Sequence, residues 1–228
     1  MKILYLETSS KNCSVAISDD EKLLCLCEEV SENYKQSESL HTFVEWALEG
    51  AGISLKEIEA VSLGKGPGSY TGLRIGASSA KGFCYGLKVP LVAVNSLESM
   101  IEPFLGQNYD YIVPLIDARR MEVYTAVYDG KTGNEISETE AKILDEFSFE
   151  EFKDRKVIFV GDGAKKTKEI LQLPNAEYND NIYPSAQYLI KKTVEKIKEK
   201  DFEDIAYFEP FYLKDFHGVK KKKPADNN

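Results

Sequence analysis

The chain of 228 residues carries 29 Lys and Arg residues against 38 Asp and Glu residues, a formal net charge of −9. That length can hold one large domain or two small ones, each with a core of its own. An acidic body repels RNA at long range, so any role with RNA requires a basic partner. There is no apolar run of about 18 residues, which predicts no membrane span. The four cysteines form no C-x-x-C pair, which favours free thiols in a reducing cytoplasm.

Alternation of apolar residues predicts three strands near the start of the chain, at 2–7, 13–18 and 22–30, joined as an antiparallel meander. Apolar residues from Leu40 to Ala51 then recur at helical spacing, and we expect Ser37 to cap this helix. Strands at 58–63 and 89–94 flank a helix over 72–86. The predicted order of the first half is therefore βββαβαβ.

A glycine-rich segment, GKGPGSYTG, joins the strand at 58–63 to the next helix. It matches neither a Walker loop nor a Rossmann loop, because the lysine and the third glycine stand at the wrong positions. Ser69 or Thr71 can cap the helix. A tight turn with a capped helix is the simpler interpretation, although bare amides at such a junction can bind an anion. The candidate nucleotide or phosphate contacts are Thr8, Ser9, Gly66, Gly68 and Ser69.

Small residues form two rows on the helix at 72–86. Gly72, Gly76 and Ala80 share one face, and Ser78, Gly82 and Gly86 form a second row. Each interior glycine lowers helix stability by about 1 kcal/mol relative to alanine. We therefore expect close approach of another backbone, either from the chain's own sheet or from a partner's helix.

The second half repeats the plan of the first. The segment IVPLIDARRMEVYTAVYDGKTG, from Ile112, resembles ILYLETSSKNCSVAISDDEKL, from Ile3. Each has an apolar strand ending in an acid, a short polar turn and an alternating strand. This self-similarity predicts a duplicated fold with a cleft between the halves and a shorter second copy. We also expect a long helix over Tyr183–Lys200 that runs back toward the first half, with Pro184 near its start.

Few residues are suited to catalysis. Glu7 and Asp117 end the first strand of each half and could hold Mg²⁺, but Arg119 is expected to pair with Asp117, so structural capping is the preferred role. With only two histidines, we expect His41 to pair with Glu45 rather than bind a metal. We predict neither catalytic residues nor a metal site. The run Lys220–Lys223 is expected to be a solvated tail.

Several segments together resemble the TsaB (YeaZ-type) family: ILYLETSSKNCSVAI, LGKGPGSYTGLRIGASSAKGF, IDARRMEVYTAVYD, VGDGA and PFYLKDF. The resemblance implies an α/β, actin-like and sugar-kinase-like fold made of two ribonuclease-H-like copies. It further implies a non-catalytic, cytoplasmic subunit in threonylcarbamoyladenosine modification of tRNA. Its partners would be a TsaD-type catalytic subunit and a TsaE-type ATPase, with tRNA bound only through the complex. Gln36 stands where many members of the family have histidine, which removes even a vestigial metal ligand.

The resemblance places the partner interface on the glycine-rich helix, together with the helix at Ser37–Ala51. The expected domains are 1–106, 107–216 and a tail at 217–228. The chain has no cofactor of its own in this interpretation, with ATP or ADP at the interface of the complex. Left open are a homodimer of the isolated chain and an alternative function as an ATP-dependent phosphotransferase or a metallopeptidase. The expected interface residues are Leu73, Arg74, Ile75, Gly76, Ala77, Ser78, Ala80, Lys81 and Gly82.

Overall fold

A computed structural model describes residues 1–31, 36–171 and 173–214, with the side chains of residues 36–38 left undescribed. The first half contains β1 (Lys2–Glu7), β2 (Asn12–Asp19), β3 (Lys22–Val30), α1 (Gln36–Ala51), β4 (Ala60–Gly64), α2 (Tyr70–Leu87) and β5 (Leu91–Val94). There follow α3 (Ser96–Met100), β6 (Tyr111–Asp117), β7 (Glu122–Asp129), β8 (Glu135–Ile143), β9 (Val157–Val160), α4 (Ala164–Ile170), β10 (Ala176–Asn179) and α5 (Ile190–Glu199).

The strands form two mixed sheets of identical topology. The first has the order β3-β2-β1-β4-β5 and the second the order β10-β9-β6-β7-β8. In the first sheet β1 is antiparallel to β2 and parallel to β4. In the second, β6 is antiparallel to β7 and parallel to β9. The predicted order βββαβαβ and the predicted duplication are therefore confirmed.

The first sheet is covered on both faces, which explains the apolar character of β1. Leu4 and Leu6 pack in the cluster that includes residues of α1 and α2. Ile3 and Tyr5 point to the other face, where they pack with Ile190 and other residues from the C-terminal part of the chain. Because side chains alternate along a strand, this single six-residue segment contributes to two cores.

The second copy is the shorter one, as predicted. The connection between β8 and β9 has only a short 3₁₀ turn, Glu150–Phe152, where the first copy has helix α1. Strand β8 was not predicted from the sequence. Most of its residues are exposed or half-buried, and its sequence EISETEAKI has few apolar positions.

The C-terminal helix packs on the first sheet, but it starts later than expected. A 3₁₀ turn at Ala186–Leu189 precedes α5, so the prediction of a helix from Tyr183 is wrong. Ser185 is extended, and its hydroxyl donates a hydrogen bond of 2.6 Å to Oε2 of Glu28. The amide of Ala186 donates to Oγ of Ser14 at 3.0 Å. These long-range bonds hold the segment on the sheet and delay the helix.

Helix α1 begins at Gln36, so Ser37 lies inside the helix and the predicted N-cap there is wrong. None of the helices in the described part of the chain is long and apolar enough to cross a membrane. Cys13, Cys25, Cys27 and Cys84 are all free thiols. The predicted tail at Lys220–Lys223 lies outside the described residues.

Candidate functional site

Glu7, at the end of β1, is fully buried and is bonded to two neighbouring segments. Its Oε1 accepts a hydrogen bond of 2.8 Å from the amide of Ser9, and its Oε2 accepts one of 2.8 Å from Oγ of Ser96. A Cβ atom on Gly64 would lie less than 3.0 Å from this carboxyl group, so only glycine fits there. Burial raises the pKa of Glu7, and the bond from the Ser9 amide partly opposes that rise. The carboxyl group thus links the loop after β1 to the start of α3 and packs against Gly64 at the end of β4, a structural role.

The glycine-rich loop and the loop after β1, which contain the candidate phosphate contacts, are hydrogen-bonded to each other and to the start of α3. The Ser69 amide donates to the carbonyl of Ser9 at 2.6 Å, and the Gly66 amide donates to Oγ of Ser96 at 3.2 Å. The hydroxyl of Thr8 donates to the carbonyl of Gly72 at 2.8 Å. Gly68 packs so closely on Ser9 that a Cβ atom would overlap the Ser9 carbonyl. The amides of Ser9, Gly66 and Ser69, on which an anion site here would depend, are therefore engaged within the chain.

The corresponding acid of the second half, Asp117, is exposed and is paired with a residue that was not predicted. Nζ of Lys166, in α4, lies 2.7 Å from Oδ1 of Asp117. Arg119 contributes only its backbone amide to the same oxygen, at 2.7 Å, so the expected ion pair with the Arg119 side chain is wrong. Asp162 accepts a bond of 2.8 Å from the amide of Asp117, and burial raises the pKa of Asp162. Within the described ranges, no three His, Cys, Asp or Glu residues are grouped so that they could hold a metal ion.

Helix α2 starts at the cap that the sequence predicts. Oγ of Ser69 accepts a hydrogen bond of 3.3 Å from the amide of Gly72. The inner row of small residues faces the chain's own first half. A Cβ atom on Gly72 would overlap the Thr8 carbonyl, one on Gly76 would approach Oγ1 of Thr8 to less than 3.0 Å, and Ala80 is fully buried.

Part of the predicted interface is therefore buried within the chain. A partner cannot reach these positions while the helix stays on its sheet. The buried members of the predicted set are Leu73, Gly76, Ala77 and Ala80.

The outer row remains open. Arg74, Ser78 and Gly82 are exposed, and Ile75 and Lys81 are half-buried. A Cβ atom placed on Gly82 or Gly86 would meet no other atom within 4 Å. The accessible part of the predicted interface is therefore Arg74, Ser78 and Gly82, with Ile75 and Lys81 half-buried beside them.

Helix α1 lies beside α2. Nε2 of His41 is 3.2 Å from Oγ of Ser79, and the rings of His41 and Phe83 are 5.8 Å apart. His41 thus pairs with α2 and not with Glu45, which corrects the sequence-based expectation. The family resemblance places both helices on one partner surface, and in the structure the two helices are in contact.

The segment after α5 contacts the loop between β4 and α2, a role that sequence reasoning missed. The amide of Phe211 donates to the carbonyl of Lys65 at 2.8 Å, and the rings of Tyr70 and Tyr212 lie 5.0 Å apart. Lys214 forms an ion pair with Glu122, at the start of β7. The C-terminal segment therefore links the glycine-rich loop of the first half to the second sheet. In the sequence, the segment PFYLKDF served only as part of the family resemblance.

The fold and these loops define an α/β protein with a duplicated, actin-like architecture. The structure of YeaZ from Pseudomonas aeruginosa has a TM-score of 0.76 and 24% identity to this chain, and the match covers 93% of this chain and 99% of that one. A second P. aeruginosa structure, described as similar to peptidase YEAZ, has a TM-score of 0.78, with 23% identity over 93% of this chain and 99% of that one. At these identities the likeness establishes the fold.

The sequence comparisons establish the family. A family model described as "TsaD: tRNA N6-adenosine threonylcarbamoyltransferase" matches residues 28–217. The tRNA threonylcarbamoyladenosine biosynthesis protein TsaB of Escherichia coli is 29% identical over 97% of this chain and 98% of its own length. TsaB of Bacillus subtilis is 29% identical over 75% of this chain and 76% of its own length. The chain belongs to this family, within its TsaB (YeaZ-type) group.

Proposed function

We propose that this chain takes part in the biosynthesis of threonylcarbamoyladenosine in tRNA, at the adenosine next to the anticodon. In this proposal it is a non-catalytic subunit that binds and activates a TsaD-type transferase. The family model is named for that transferase, and the relatives from E. coli and B. subtilis are named for the pathway.

The non-catalytic role is supported by the contacts that already engage the carboxyl groups of the two acids that end β1 and β6. Glu7 is buried and bonded to Ser9 and Ser96, and Asp117 is bound to Lys166. Neither carboxylate is free to hold Mg²⁺ with a nucleotide, as a phosphotransferase of this fold would require. A metallopeptidase would require a group of metal ligands, and the described ranges contain no such group.

The partner surface is the outer row of α2, with α1 beside it. The observation that carries the proposal is the open space over Gly82 and Gly86, where a Cβ atom would meet nothing within 4 Å. Small residues at Ser78, Gly82 and Gly86 allow a second helix to approach closely, because the contact distance between helices depends on the side chains between them. Tyr85, with 83% of its surface exposed, stands on the same side as an apolar contact.

The remaining partners follow from the same proposal. A TsaE-type ATPase joins the complex, ATP or ADP binds at the interface and not in the closed loop at Ser9, and tRNA reaches this chain through the complex. The isolated chain can use the same helical surface for a homodimer, which would compete with the transferase.

The test is the affinity for a TsaD-type partner, measured by calorimetry with purified proteins. Gly82→Leu should weaken binding about 10- to 100-fold, because the added side chain overpacks a close helix contact. The control is Glu199→Leu, which adds the same side chain at an exposed position of α5, on the opposite face of the first sheet. Equal affinity of the Gly82→Leu variant and the wild type would place the interface elsewhere.

Reconstitution tests the activity. Transfer of the threonylcarbamoyl group to tRNA is followed with this chain, the transferase, the ATPase and the enzyme that makes threonylcarbamoyl-adenylate, each omitted in turn. We expect no transfer without the TsaD-type subunit and little without this chain. Transfer by this chain alone would refute the non-catalytic role.

A further inference from the structure

The turn between β6 and β7 carries two adjacent arginines in an unusual backbone conformation. Arg119 has a φ of 68° and Arg120 a φ of 53°, the left-handed region that side chains other than glycine and asparagine rarely adopt. Both residues are exposed. Since Asn-Gly would satisfy such a turn with less strain, local stability does not account for arginine at both positions.

A lysine from another element holds this turn in place. Nζ of Lys166 lies 2.7 Å from Oδ1 of Asp117, 3.0 Å from the carbonyl of Arg120 and 2.5 Å from the carbonyl of Glu122. These three bonds use all three ammonium hydrogens, and only 17% of the Lys166 side chain is exposed. The amide of Arg119 donates to the same Asp117 oxygen. The conformation of the arginine turn is thus fixed before any ligand binds.

Two of the acids around the turn are paired with lysines. Asp117 is paired with Lys166, and Glu122 is paired with Lys214. Burial raises the pKa of Asp162, and the hydrogen bond from the amide of Asp117 opposes that rise. Among the described residues, neither arginine side chain forms an ion pair with a carboxylate. The turn is therefore a positive site on a chain whose net charge is −9.

We propose that Arg119 and Arg120 bind the phosphodiester backbone of tRNA once this chain is part of the transferase complex. The planar guanidinium group bonds a phosphate through two parallel N–H donors, which makes a rigid pair of arginines suited to successive phosphates. Two such contacts on an acidic body are too few for binding by the chain alone, so the site acts when the partner supplies the rest of the RNA surface. This inference rests on the proposed function.

The test measures tRNA affinity of the assembled complex as a function of salt concentration. In the double variant Arg119→Gln and Arg120→Gln, tRNA binding should weaken about tenfold at low salt. The slope of log K against log salt should fall by about 1 for each lost phosphate contact. The control is Lys153→Gln with Arg155→Gln, which removes the same charge from exposed residues before β9, at the opposite end of the second sheet.

A conservative double variant, Arg119→Lys with Arg120→Lys, keeps the charge and loses the two parallel N–H donors of each guanidinium group. It should retain the salt slope and lose part of the affinity. Unchanged slope and affinity in the glutamine variant would overturn the proposal, as would an equal loss in the control. A loss of affinity for the protein partner, with tRNA binding intact, would also overturn it. Assembly of the complex is measured first. Failure of the wild type to assemble would refute the proposed function itself. Normal assembly with unchanged tRNA binding by the glutamine variant would refute only the role of the arginines.

Discussion

The two rows of small residues on α2 predict opposite effects of the same substitution. At Gly72 a Cβ atom would overlap the Thr8 carbonyl, and Thr8 cannot move away easily because its hydroxyl bonds the carbonyl of Gly72 in a buried position. Overpacking of this kind costs about 1–3 kcal/mol. At Gly82 the added methyl group meets no atom within 4 Å, so only the helix propensity changes.

The magnitudes can be compared because both positions lie on one helix. Gly82→Ala should raise the free energy of unfolding by up to about 1 kcal/mol, the difference in helix propensity between glycine and alanine. In Gly72→Ala the same gain is smaller near the helix start and is outweighed by the overlap. We expect a net loss of about 1–2 kcal/mol. The two variants should therefore differ by about 2–3 kcal/mol.

Urea unfolding of the purified variants measures this difference. The midpoints should move in opposite directions while the slope m stays constant, which would show that only stability has changed. If Gly72→Ala were as stable as Gly82→Ala, the inner row would not pack on Thr8 and the assignment of the two rows would be wrong. The result also decides how interface variants are chosen, because Gly76→Leu or Ala80→Leu would disturb the fold before it tested a partner.

Three further expectations concern the loops. Because burial raises the pKa of Glu7 in the folded state, its contribution to stability is full at acid pH and is lost as the pH rises through the folded-state pKa. Each pH unit in that window changes the free energy of unfolding by about 1.4 kcal/mol. Glu7→Gln should flatten this pH dependence, measured by urea unfolding at pH values from 4 to 8. Ser69→Ala removes the cap of α2 and should lower the free energy of unfolding by about 1 kcal/mol in the same assay, whereas Ser69→Asp should not. Tyr212→Ala should speed amide hydrogen exchange in residues 65–70, measured by mass spectrometry, because it removes the ring contact with Tyr70; unchanged exchange would mean that the C-terminal segment does not hold that loop.

Local patterns in the sequence were sufficient to predict the first half. Period-2 alternation and an amphipathic helix predicted the order βββαβαβ. The similarity between the segment from Ile3 to Leu23 and the segment from Ile112 predicted the duplication. Strand β8 was missed because its side chains pack little: the strand is at the edge of the second sheet, so its sequence shows no apolar alternation.

Two other errors share a physical cause, which is contact between residues far apart in sequence. The start of α5 is set by Ser185, whose hydroxyl bonds Glu28 across 157 positions, and no local pattern encodes that bond. The two rows of small residues on α2 look alike in sequence. Only the position of Thr8 shows that the row of Gly72 and Gly76 packs on the chain's own loop.

The equivalent acids of the two copies, Glu7 and Asp117, are held by different kinds of contact. In the first copy Glu7 is buried, its carboxyl group accepts hydrogen bonds from Ser9 and Ser96, and Gly64 packs against it. In the second copy Asp117 is exposed, and a lysine compensates its charge. The engagement of both carboxylates supports the non-catalytic role that we propose, because a carboxylate that acts as a general acid or base must reach the reacting group. Both carboxylates fix the conformation of the loop that follows their strand. A subunit built in this way is suited to present rigid surfaces, and the open row on α2 and the arginine turn are the two that we propose its partners bind.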